Sequence, residues 1–156
     1  MKALGVLLVM GLVVFSTGQM GFSQYNYPST PQPAPSPSTQ PQAGDMKTEL
    51  KTAITHAGYA EKYDTMKEVS LHLHHVINCI VGSGNPMYDT AAGNPCEGQG
   101  KGIMPGIKAM MGEDQEYQVA WWLAHLADEA IKTGSLAQAK AAGHIIGLQL
   151  TAMSKM

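Results

Sequence analysis

The chain has 156 residues, a formal net charge of -2 and only 14% charged side chains. Its ten basic residues are all lysine, so the guanidinium fork that reads phosphate and guanine in bidentate fashion is missing, which argues against a nucleic acid partner. Both phenylalanines, Phe15 and Phe22, lie near the N-terminus, which leaves Trp121, Trp122, a few tyrosines and many alanines and methionines to build a core.

Lys2 precedes an unbroken apolar and glycine run, Ala3 to Phe15, which matches a signal h-region and falls short of the roughly 20 residues a membrane-spanning helix needs. Small residues offer two cleavage points, after Gly18 or after Ser23, and the second gives a signal peptide over 1–23. An uncleaved anchor is the alternative, weakened by the early polar residues Ser16, Thr17 and Gln19. With no cysteine nearby, a lipoprotein is excluded. The reading is an exported protein, periplasmic or extracellular, with no membrane span after cleavage.

Residues 24–44 shift to Pro, Ser, Gln and Thr, with Pro28, Pro31, Pro33, Pro35, Pro37 and Pro41. Such a composition buries too little apolar surface to offset the entropy of ordering, so a disordered, polyproline-like tether is expected there.

The domain then occupies 45–156. Asp45 is a suitable N-cap, and Met46, Leu50, Ala53, Ile54 and Ala57 recur at helical spacing up to about Tyr63. Thr65 followed by Glu68 reads as a capping box opening a second helix, with Met66, Val69, Leu73, Val76 and Ile80 facing the core and Gly82 as the C-cap. Residues 82–112 are rich in Gly, Asn and Pro, with a short helix expected near Ile107 to Met111. A connection this long in a compact domain is expected to be functional or covalently fixed. A third long helix over 114–133 carries apolar residues on two faces: Tyr117, Ala120, Trp121, Ala124 and Ile131 on one, Val119, Trp122, Leu123 and Leu126 on the other. Such a helix is central or belongs to an interface with an envelope protein or a second copy. Gly134 and Ser135 separate it from a last helix with Leu136, Ala139, Gly143, Ile146, Leu150 and Met153 in three-four spacing. The expected fold is all-α, a small four-helix bundle with one long loop.

Three features could carry chemistry. Cys79 and Cys96 form an even pair in an exported chain, which favours a disulfide worth about 3 kcal/mol; free thiols that bind metal or redox partners are the alternative. The run His72-Leu73-His74-His75 places Glu68, His72, His75 and Cys79 within a sector of roughly 60° of one helix, with His74 directed elsewhere. His72 and His75 can then share an ion. Neutral imidazole suits zinc, copper or nickel. A closed site needs a ligand from another helix, for which His56 and His125 are the candidates, whereas His144 lies off its core stripe. The plainer reading has all of these histidines at a half-buried rim. Gly143 and Gly147 each cost about 1 kcal/mol relative to alanine, which points to close approach of another helix or to room for a flat ligand such as haem.

Other signals fail. Gly98 to Gly102 resembles a phosphate loop, but Pro95 and Gly102 break the pattern. There is no nucleophile elbow, and Asp128 and Glu129 are adjacent and so point to different faces of one helix. No enzymatic signature emerges. The residues favour a metal-binding module of the copper or zinc class using His72 and His75 with His56 or His125; a structural or interaction module is second, and a b-type haem bundle third.

Overall fold

A computed structural model describes residues 43–156. The expected signal peptide and the expected linker up to residue 42 lie outside the described residues. Those described contain five helices and no strand: α1 Ala43–Lys62, α2 Met66–Val81, α3 Ile103–Met111, α4 Gln115–Lys132 and α5 Leu136–Met153. The helices pack as a bundle in which α1 lies against both α5 and α2, and α4 lies against α2 and α5.

The apolar stripes explain this packing. Leu50, Ala53 and Ala57 of α1, Val69, Leu73, Val76 and Ile80 of α2, and Ala139, Ile146 and Leu150 of α5 are all buried, as their spacing predicts. Between α1 and α5 the contact is especially close. A Cβ added at Gly143 would lie 3.0 Å from the Cβ of Ala60 and 3.1 Å from the carbonyl oxygen of Ala57. The glycines of α5 therefore admit α1, and the space a flat ligand such as haem would require beside Gly143 is filled by protein.

Helix boundaries depart from the sequence expectation in three places. α1 begins at Ala43 rather than after an Asp45 cap, so residues 43 and 44, assigned above to the linker, are helical. At Thr65 the hydroxyl accepts from the Glu68 backbone N–H at 3.2 Å and itself donates to the Glu68 carboxylate at 2.7 Å; the expected return bond to the Thr65 backbone is replaced by this side-chain pair. α3 starts at Ile103, before Pro105, because a proline in the first turn occupies a position whose N–H has no helical partner anyway.

The long connection, with this short helix inside it, contributes to the core. Ile103, Met104 and Ile107 are buried, as is Cys96. In α4 the division into two apolar faces does not decide burial: Ala120 and Ala124 of the first and Leu123 of the second enter the core, whereas Trp122 of the second is 64% exposed.

The loop from Gly82 to Gly102 is closed at its base. Gly82 has φ +73° and Gly102 φ +113°, and a Cβ on Gly82 would fall 1.9 Å from the Lys101 carbonyl oxygen. Only glycine permits this backbone contact. The buried Glu49 carboxylate of α1 accepts the Gly102 N–H at 2.7 Å, tying the loop's end to the bundle. A carboxylate so close to Gly100 also opposes any phosphate there.

Candidate metal centre

α1 and α2 are joined by the short turn at 63–65, so they run antiparallel as neighbours. His56 lies eight residues before Asp64 and His72 eight residues after it. At about 1.5 Å of rise per residue both rings sit about 12 Å from the turn and therefore face each other. His75, one turn beyond His72, shares its face of α2.

The three rings converge through the same atom. His56 Nδ1 is 3.0 Å from His72 Nδ1 and 3.1 Å from His75 Nδ1. Among the described residues, these three form the one group of His, Cys, Asp or Glu donors close enough to share an ion, all ligand atoms lying within 4.8 Å of one another. A tetrahedral ion with metal–nitrogen bonds of about 2.05 Å separates its nitrogens by about 3.3 Å. Opening each of the two pairs that His56 makes by a few tenths of an ångström would match that spacing. The site could hold a metal.

The loop fixes one of these rings. His75 Nε2 lies 2.8 Å from the carbonyl oxygen of Ala92. Since a carbonyl only accepts, Nε2 carries the hydrogen, and in the neutral ring Nδ1 then presents its lone pair to the cluster. A ligating histidine whose second nitrogen donates to a carbonyl is the usual outer-shell arrangement of protein metal sites.

Asn78 holds that carbonyl in place. Its side-chain amide donates to the carbonyls of Asp89 and Gly93, both at 2.7 Å, and its oxygen accepts the Asp89 N–H at 2.9 Å. Ala92 is thus clamped between two tethered residues. One residue further along α2, Cys79 forms a disulfide with Cys96, Cα–Cα 5.4 Å, which anchors the following stretch of loop. His74 turns away from the cluster and its Nδ1 lies 3.3 Å from Asp89 Oδ2.

Two tyrosines, Tyr59 of α1 and Tyr63 of the turn that follows it, border the cluster. The Tyr63 ring stacks on His72, centroids 5.0 Å apart and planes at 19°, and Tyr59 contacts both His56 and His72. Both are partly open to solvent, 41% for Tyr59 and 39% for Tyr63. The centre therefore lies under an aromatic rim at the surface.

The electrostatics favour neutral rings. His56 is pushed down to about 4 from its ordinary 6.5, first by burial and then by the neighbouring His75 and His72. His72 is lowered by burial and by His75, with Glu68 acting in the opposite direction. Neutral imidazoles are the form a metal requires.

Of the sequence candidates, the structure brings His56, His72 and His75 together. His125 stands apart on α4, its ring 3.9 Å from that of Trp121, and His144 is exposed beside Glu61, 3.3 Å away. Glu68 serves the α2 cap, and Cys79 is consumed by its disulfide. Sequence reasoning missed Asn78, Ala92, Tyr59 and Tyr63. A lone Asn inside the apolar run 76–81 was the available signal for Asn78, since a buried amide must find partners; the tyrosines follow His56 at i+3 and i+7.

No family model matches this chain, and no curated protein or solved structure shows significant similarity to it.

Proposed function

We propose that this domain binds a transition-metal ion of the copper or zinc class through the Nδ1 atoms of His56, His72 and His75, to sequester or carry it. The observation that carries the reading is the convergence of three Nδ1 atoms from two helices, with the hydrogen of His75 directed away to Ala92. Three imidazoles leave a coordination position for water or an exchanging ligand. We place the protein outside the cytoplasm, periplasmic or extracellular, following the signal-like segment and in keeping with the Cys79–Cys96 disulfide. Among the described residues no helix is long and apolar enough to cross a membrane.

Calorimetric titration of the full chain with Zn²⁺ and Cu²⁺ tests this. One ion per chain is expected at micromolar affinity or better, with His56→Ala, His72→Ala and His75→Ala each weakening it by roughly a hundredfold, the size of one ligand's contribution. If the single mutants bind like the wild type, the site does not exist.

A second reading, an interaction module, is favoured by one observation: Trp122 of α4 is 64% exposed, and large aromatics are enriched at protein interfaces. Near-zero metal in both the wild type and the histidine mutants would transfer the conclusion to that class.

A further inference from the structure

At the opposite end of α1 from the histidines lies a pocket of about 140 Å³, walled by the start of α1, by α3 and by the C-terminal end of α5. Its lining includes Met46, Met110, Met111, Met153 and Met156. The described residues hold eight methionines, so five of them gather on one pocket of eleven lining residues, a concentration that chance placement does not give. Core packing does not explain it either. Leucine packs helical cores with better-defined rotamers, and the rim members Met110, Met111 and Met156 are exposed rather than filling gaps.

What methionine adds to a leucine-sized side chain is a flexible, polarisable thioether. Soft thioether sulfur selects Cu(I) and its congener Ag(I), while zinc takes thiolate, imidazole and carboxylate. The sulfur of Met46 is set against α3, where a Cβ on Gly106 would lie 3.4 Å from it. The remaining four come from the last turn of α3 and the end of α5, and three rotatable bonds in each allow several sulfurs to turn onto one ion. The charged neighbours are Lys47 and Glu116, one of each sign, so a monovalent ion meets no net repulsion from them.

We propose that this methionine pocket is a second metal site, specific for soft monovalent ions, Cu(I) in nature and Ag(I) as its redox-silent probe. It is independent of the histidine centre. If both exist, copper is the metal that the whole chain is built to handle.

Silver nitrate is titrated into the full, disulfide-intact chain carrying ¹³C-methyl methionine, and methyl spectra are recorded. The expected result is saturable shifts of the Met46, Met110, Met111, Met153 and Met156 methyls at micromolar Ag(I), with Met66 and Met87 unmoved. A Met110→Leu/Met111→Leu/Met156→Leu variant conserves volume and apolarity while removing sulfur, and should bind at least about tenfold more weakly. A His56→Ala/His72→Ala/His75→Ala variant should keep the methyl shifts, which separates this site from the histidine reading. Unmoved pocket methyls overturn the inference, as does a leucine variant that binds like the wild type. Loss of silver binding in the histidine variant alone would overturn it and leave the histidine centre standing. Should the leucine variant fail to fold, the wild-type methyl pattern decides.

Discussion

α1 makes two seams that differ in chemistry. Towards α5 it presents Ala57 and Ala60 to Gly143, small residues that bring two backbones almost into contact and leave no space. Towards α2 the seam is aliphatic at its centre, with Leu73 and Val76 buried, and at the same height on its flank it carries His56, His72 and His75. One helix thus carries a dry contact along one face and a polar, partly open chamber along the other. Closeness on the α5 side gives α1 a fixed position, and a fixed α1 holds His56 at the height of its partners.

The strongest way to break this pairing is Gly143→Leu. Its side chain has no room beside Ala60 and the Ala57 carbonyl, and overpacking of this kind costs about 3 kcal/mol. Thermal unfolding should show a melting temperature lower by about 10 °C or more. An unchanged melting point would mean that the seam is loose.

Asn78→Ala acts on the other seam. It leaves the carbonyls of Asp89 and Gly93 and one N–H without their partner, costing about 2 kcal/mol. It also frees Ala92, so zinc affinity should fall roughly tenfold, as outer-shell losses at metal sites do. Nitrogen-15 spectra should show His75 changing from a fixed Nε2–H tautomer to a mixture. Retention of a single tautomer would show that the clamp does not act on the ring.

Acid should weaken the domain through the same histidines. In the unfolded chain a histidine takes its proton near 6.5, whereas folded His56 resists until about 4, and His72 is shifted in the same direction. Between these values the unfolded state binds more protons. Stability is therefore full above pH 6.5 and declines as the pH falls towards 4. Melting temperatures measured from pH 7.5 to 4 should drop by several degrees in the wild type and by less in His56→Ala, and added zinc should steepen the dependence.

The smallest effects belong to the histidines outside the centre. His125→Ala and His74→Ala should each change metal affinity by less than about twofold, because neither contributes to the ligand set. A larger loss at His125 would mean that α4 moves to the site on binding.

Much of this arrangement was legible in the sequence because it rests on periodicity. The stripes of α2 and α5, the Gly82 C-cap, the break at Gly134 and Ser135 before α5 and the disulfide all follow from local spacing or from the cysteine count. The choice between His56 and His125 did not. Spacing within one helix says nothing about which neighbour a ring meets; only counting outward from the 63–65 turn separates them, since residues equidistant from a tight antiparallel turn come face to face. The roles of Asn78 and Ala92 were harder still. They depend on how a loop of some twenty residues folds back, and that path is set by Glu49, distant in sequence, and by the Gly82–Lys101 contact.

The bridge between Cys79 and Cys96 has a consequence for chain connectivity. All three histidines precede it, within residues 56–75, while the Ala92 carbonyl that orients one of them lies inside the ring it closes. A single cut in the peptide between Ala92 and Cys96 would leave one covalent molecule in which donors and orienting carbonyl still belong to the same strand, joined to the rest through sulfur. A cut before Ala92 would place that carbonyl on the other strand, attached to the histidines only through the bridge. The ring thus divides into a part whose integrity the centre needs and a part it can spare.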